Sequence, residues 1–255
     1  MHLSAIRGII DRRILVNFRV DADVLARVLP SPFRPKIVKG MGMAGVCLIR
    51  LKSIRPRFLP SFLGISSENA AHRIAVEWDQ DGETKEGVFI PRRDTSSRLN
   101  ALVGGRLFPG VHNHAVFDVR EHDAHFRIEL NSDDRQTHLL VDGHLAQNIP
   151  GGSIFTSISE ASDFFKRGSL GYSVGNEPDC YDGLELRSFD WQVQPLAVNR
   201  VESSYFENRD LFPPGSTEFD CALLMRGIEH EWHCRETITG DRLSKSSVFR
   251  SELAF

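Results

Sequence analysis

The residues able to do chemistry gather in two stretches of this sequence, 68–72 and 106–114. Alternate side chains of an extended strand share a face. That rule puts Val111, Asn113, Ala115, Phe117 and Val119 on one face, and His112, His114, Val116 and Asp118 on the other. Asn113 is then a lone amide on an apolar face, where burial without a partner costs about 1–3 kcal/mol. In residues 68–78, Glu68, Ala70, His72, Ile74, Val76 and Trp78 form the apolar set, so Glu68 and His72 are expected to point inward. A carboxyl group with a raised pKa works as a general acid or base, and an amide can orient a carbonyl or carboxylate oxygen. Glu68 and Asn113 are therefore expected to share one cavity, with His72 deeper along its strand. The competing arrangement is a filled core, with Glu68 paired to an arginine and Asn113 satisfying backbone groups.

Other chemistries find weaker footing. His112 and His114 project to the same side of a strand, but two ligands do not make a metal site, and an outward or interface face is the plainer reading. His230-Glu231-Trp232-His233 lacks the spacing of a zinc-binding HExxH helix. Cys47, Cys180, Cys221 and Cys234 are scattered, without a CxxC pair, and read as reduced thiols, and Cys180 and Cys221 have no basic neighbour to activate them. No GxSxG elbow occurs. No metal and no cofactor is expected.

The elements that must position these residues are mostly strands. Residues 13–20 alternate as a half-buried strand, and Asp21 can cap a short helix carrying Val24, Leu25, Val28 and Leu29. Ile37–Val38, 44–54, 68–78 and a partner through Phe89 and Ile90 read as further strands, with a hairpin at residues 79–82. Thr95 or Asp94 is expected to cap a helix with Leu99, Leu102 and Val103. A β meander follows from 113 to 145, then a helix over 158–166 and a long loop over 168–183. Closing strands are expected over 184–193, 197–206, 219–227 and 229–237, with a peripheral tail after 240. The chain reads as a single mainly β domain of 255 residues with a few short helices.

Composition narrows the partners. A net charge of −3 argues against nucleic acid and acidic membrane surfaces. No apolar run reaches the roughly 20 residues that span a bilayer, and no signal peptide is evident, so a cytoplasmic location is expected. The apolar loop with Phe58, Leu59, Phe62 and Leu63 suits a pocket mouth or a homo-oligomer contact.

The order of the pieces resembles the acetoacetate decarboxylase superfamily. VNFRVDADVLARVLPSPF is similar to its strand-and-helix opening, and Glu68 stands where that family places a glutamate at the start of an inner strand. GVFIPRRD followed by GGRLFPGVHNHA resembles its Gly-Arg-Glu and Gly-Tyr-Pro-Lys-Lys segment. A closer resemblance is to an uncharacterised, YqjF-type bacterial branch, whose later strands are similar to DGLELRSFDWQVQPLAV and ALLMRGIEHEW. The likeness runs from about Arg12 to about Trp232.

It implies a closed, cone-like antiparallel β-barrel with flanking strands and helices. Family decarboxylases form a Schiff base through a lysine whose pKa is lowered by a neighbouring lysine and an apolar pocket. Carried over by motif, Asn113 takes the place of that lysine and His114 that of its neighbour. Gly105 and Arg106 keep the family's Gly-Arg, with Leu107 replacing its glutamate, and Arg12 or Arg13 is nearest to the pocket arginine. An amide cannot attack a ketone as an amine does. The six lysines, Lys36, Lys39, Lys52, Lys85, Lys166 and Lys245, all lie in turns, at strand ends or among charges. Two functions remain: a lyase-, hydratase- or isomerase-type enzyme on a small carbonyl or carboxylate compound without Schiff-base chemistry, or a non-catalytic binder of such a molecule. In either, Glu68 and Asn113 are the catalytic candidates, with His72, Arg12, Arg106 and His114 beside the ligand.

Overall fold

The computed structural model describes residues 5–103 and 109–240. Gly105, Arg106, Leu107 and the tail from 241 lie outside the described residues. In chain order the elements are β1 (Ala5–Asp21), α1 (Ala22–Val28), β2 (Arg34–Pro35), β3 (Ile37–Val38), β4 (Met41–Pro56), β5 (Ile65–Gln80) and β6 (Glu83–Thr95). Then come α2 (Arg98–Val103), β7 (Asn113–His122), β8 (His125–Ser132), β9 (His138–Leu145) and α3 (Ile158–Lys166). β10 (Leu170–Val174), β11 (Cys180–Ser188), β12 (Gln194–Ser203) and β13 (Thr217–Thr239) complete the order. The strands form one 13-stranded mixed sheet that closes on itself.

Two rings share a wall. One runs β1–β4–β5–β6–β7–β8–β9–β12–β13 and back to β1; the other leaves β6 through β10 and β11 and returns to β13. The period-two patterning explains the inside of the first ring. Ile14, Val16, Phe18 and Val20 of β1 meet Ala44, Val46 and Leu48 of β4, and Ala70, Ile74 and Trp78 of β5, in one apolar core. A meander is built over 113–145 as expected, and its Ile128, Leu130, Leu139 and Val141 fill the same core.

Other expectations change. β1 starts at Ala5, and its middle is buried on both faces, because Leu15 packs outward with Phe155, Ala161 and Phe165 of the α3 region. Asp21 caps α1, accepting from the amides of Asp23 at 2.8 Å and Val24 at 3.3 Å. The cap of α2 is Ser97, which accepts from the Asn100 amide at 3.2 Å; neither Thr95 nor Asp94 serves it. The loop expected over 168–183 is mostly two paired strands, β10 and β11, anchored by buried Tyr172 and Tyr181. The last two expected strands are one strand, β13, in which Gly227 takes a positive φ of 65°.

β6 is the strand where the two rings part. Its one edge pairs with β5 almost throughout, with Ile90 and Pro91 bulged opposite Arg73. Its other edge pairs in parallel first with β10 at residues 88–90 and then with β7 at residues 94–95. Between these, Pro91 has no N–H to offer a ladder.

The shared wall is tight. A Cβ on Gly45 would stand 2.2 Å from the Val16 carbonyl oxygen of the neighbouring strand. Gly45→Ala is expected to lose about 1–3 kcal/mol of stability, read as a lower urea midpoint.

Candidate functional site

The sequence-predicted residues are dispersed around the barrel. Glu68 sits near the start of β5 and is drawn into an ion cluster. It meets the guanidinium of Arg12 at 2.6 Å and also pairs with Arg50. Glu121 of β7 pairs with both arginines, reaching Arg50 at 2.9 Å. Arg12 is only 2% exposed, so its charge depends on these acids. Of the two expected arrangements for Glu68, the geometry is that of the arginine pair, and none of the cavities described below has both Glu68 and Asn113 on its walls.

His72 is fully buried, stacked on Tyr205 with ring centroids 4.7 Å apart, and neither ring nitrogen has a hydrogen-bond partner. Burial, helped by the charge of Arg92, brings its pKa down to about 3. It is a neutral core group that lines no cavity. His114 lies on the outer face of β7 and bonds Asp133 at 2.8 Å. Among the described residues no three His, Cys, Asp or Glu side chains cluster as metal ligands. Arg106 lies outside the described residues.

Arg93, which the sequence reading passed over, lies where cavities converge. The Asn113 amide donates to its backbone carbonyl at 3.1 Å, and its own Nε donates to Ser173 Oγ at 2.8 Å. No carboxylate pairs with it among the described residues. Its neighbour Arg92 points the other way, onto Asp94 at 2.8 Å and Asp134 at 3.0 Å. Burial brings Arg93 down to about 10, still cationic at neutral pH.

Arg93 lines two differing spaces at the β6 gap. One is an open cleft of about 640 Å³ with Pro91, Asn113, Gln136, Ser173 and Tyr205 on its walls. The other is smaller, about 100 Å³, and largely apolar, walled by Ile49, Leu51, Ile54, Leu184 and Trp232. Its polar groups are Asn69, Arg93, Asp94, Asn100 and His112. His112 Nδ1 faces the Gly110 carbonyl oxygen at 3.0 Å, which assigns the proton to Nδ1 and leaves Nε2 as an acceptor. Burial, with the charge of Arg93 behind it, brings His112 down to about 4. Desolvation raises the pKa of Asp94 while its hydrogen bonds to Arg92 oppose the rise.

The sequence reading weighed His112 only as a metal ligand on an outward face, and assigned Arg93 no face at all. Leu184 and Trp232, which cover that face, come from distant parts of the chain. The only local signal was the charged Arg92-Arg93-Asp94 run inside an apolar strand.

The family follows from comparison. The profile of a family described as an uncharacterised conserved protein, DUF2071, matches residues 10–229. The chain belongs to that family. No curated protein matches it. Among solved structures it is similar to acetoacetate decarboxylase from Legionella pneumophila, with a TM-score of 0.60 at 11% identity over 92% of this chain and 87% of that one. It is also similar to the enduracididine biosynthesis enzyme MppR, with a TM-score of 0.57 at 10% identity over 92% of this chain and 88% of the other. An acetoacetate decarboxylase-like enzyme from Sphingomonas wittichii RW1 gives a TM-score of 0.51 at 13% identity over 94% and 92% of the two chains. The DUF2071 chain thus has the acetoacetate decarboxylase-like fold, as the sequence resemblance implied. No described helix is long and apolar enough to cross a membrane.

Two measurements follow from this geometry. Glu68→Gln leaves Arg12 with Glu121, and Arg50 with Glu121 and Asp11. It is expected to cost about 2–3 kcal/mol, less than the roughly 3–5 kcal/mol for a pair that loses its only acid. Urea denaturation reads the loss. The second concerns pH. His72 is protonated more readily unfolded, near 6.5, than folded, near 3. Its contribution is therefore fully present above about 6.5 and falls as the pH drops towards 3. At pH 5 the loss is about 2 kcal/mol relative to pH 8. Asp94, with a raised folded pKa, works in the opposite direction. Comparing His72→Phe with the parent isolates the His72 part: the slope between pH 5 and 7 should flatten in the variant.

Proposed function

We propose that this chain acts on a small carbonyl compound bearing a carboxylate, by proton transfer rather than through a Schiff base. The observation that carries the reading is the pairing, in one apolar-walled cavity, of a neutral imidazole with an arginine that has no acid partner. In this reading the Arg93 guanidinium takes the substrate carboxylate as a two-pronged donor. The Asn100 side-chain amide turns a donor towards the carbonyl oxygen. His112 Nε2 removes a proton from the carbon beside that carbonyl: the C–H bond breaks, its electron pair forms the enolate, and the proton rests on the imidazole. Return of that proton to the same carbon is an exchange; where the substrate carries a β,γ double bond, the electron pair extends to the γ-carbon, and protonation there moves the double bond and completes an isomerisation.

A base near 4 is weak at neutral pH. Part of that depression comes from Arg93, so a carboxylate on Arg93 strengthens His112 as a base once substrate is bound. Asn113, the residue at the family's lysine position by motif, acts here by holding the Arg93 backbone. Glu68 is assigned to the ion cluster rather than to the chemistry.

The fold's decarboxylase and MppR neighbours support a small organic acid as the ligand class. A second reading, a binder without turnover, draws support from the absence of any lysine lining either cavity among the described residues. The two separate in one series. A panel of keto acids is screened by thermal shift, and hits are followed in D2O by NMR for exchange of the proton beside the carbonyl. Exchange should fall at least a hundredfold in His112→Asn, while binding persists. Hits that bind without exchange in the parent protein would establish the binder. Borohydride with a β-keto acid is expected to label no lysine, and a labelled lysine would defeat the proton-transfer route.

A further inference from the structure

Behind Arg93 lies another cavity of about 100 Å³, sharing Ile49, Ala71, Arg93, Leu184 and Trp232 with the first. Three arginines line it, Arg13, Arg73 and Arg93, and no acidic residue does so among the described residues. None of the three has a salt bridge within the described residues. Arg73 is 8% exposed; it bonds the Asn17 side-chain oxygen and stacks on Phe165 at 5.0 Å, while its Nε has no partner. Arg13 donates its Nε to the Cys47 sulfur at 3.2 Å and lies over Trp191, and its buried Nη1 has no partner.

This is an uncommon arrangement. Arginine keeps its proton in proteins, so burial does not neutralise it as it would a lysine. Buried charges are ordinarily paired. Elsewhere in this chain the rule holds: Arg12 and Arg92 each pair with two carboxylates and Arg50 with three. The trio repels itself, and the described walls of the cavity supply no countercharge. Such a cavity is complementary to a small molecule that brings its own.

We propose that the Arg13–Arg73–Arg93 cavity binds a small oxyanion carrying at least two negative charges, as a dicarboxylate or a phosphorylated acid does. This deepens the preceding reading by naming the ligand's charge. It rests on that reading only in assigning both cavities to one molecule; the demand for a polyanion stands on the arginines alone. Arg93, shared by both spaces, sits between the charged end and the reacting end.

The test uses the full chain with sodium succinate, inorganic phosphate and sodium acetate, each against sodium chloride of equal ionic strength. Succinate or phosphate is expected to raise Tm by about 5 °C or more at a hundredfold excess over Kd, with acetate well behind. A larger response to phosphate assigns the phosphorylated class, and a larger response to succinate the dicarboxylate class. By calorimetry, Arg13→Gln and Arg73→Gln should each weaken that binding at least tenfold, and His112→Asn should leave it unchanged. Should a glutamine variant fail to fold, Arg13→Lys keeps the cation but loses the planar fork, and is still expected to weaken binding severalfold. Equal responses to all salts, or undiminished binding in the arginine variants, would overturn the inference. Polyanion binding without proton exchange would instead defeat only the catalytic reading.

Discussion

A strand has two edges, and β6 spends one of them on two different neighbours. Because β10 takes residues 88–90 and β7 takes residues 94–95, neither neighbour pairs with the residues between, and Pro91 among them has no amide to leave stranded. The bulge at Ile90 and Pro91 turns the strand at the same point. The open cleft, both small cavities and Arg93 all lie at this parting of the sheet. Hydrogen-bond bookkeeping in the backbone thus decides where the molecule has room for a ligand.

Strand parity then sorts the arginines into two populations. Arg12 and Arg92 face acids at the barrel interior, whereas their immediate neighbours Arg13 and Arg93 face the space behind the wall. The interior charges are mutually satisfied and serve the fold. Those behind the wall are left over, and a surplus of buried positive charge is costly unless something external completes it. The proposed ligand site lies where, among the described residues, the chain leaves its own charge unbalanced.

Much of the scaffold was legible in the sequence. Period-two alternation identified the inner faces of β1, β5 and β7, Asp21 marked a helix start, and the ordered motifs indicated the decarboxylase-like barrel. β10 and the first half of β11 were not legible, since glycines and turn residues break their alternation and their pairing partners are remote. The proposed site lies on the opposite face from the one the sequence reading favoured. Glu68 and Asn113 were sought as a pair because both are polar residues among apolar ones, yet Glu68 is held by arginines from β1 and β4. His112, Arg73 and Arg93 sit on a face that alternation labels as solvent-facing. Only tertiary cover from α3, β11 and the far end of β13 makes it an interior.

The ion cluster at Arg12 has a mechanical meaning as well. β7 joins β6 through only two residue pairs, Asp94 with Asn113 and Thr95 with His114. Further along, β7 is tied to the opposite wall through Glu121, which reaches Arg12 of β1 and Arg50 of β4. One seam of the barrel is therefore fastened by charge instead of by a hydrogen-bonded ladder. Ionic fastenings are non-directional compared with ladder bonds and tolerate small sliding displacements. The meander β7–β9 is thus held to β6 by a short hydrogen-bonded stub, to β1 and β4 by a carboxylate, and to β12 by a full ladder along its far edge.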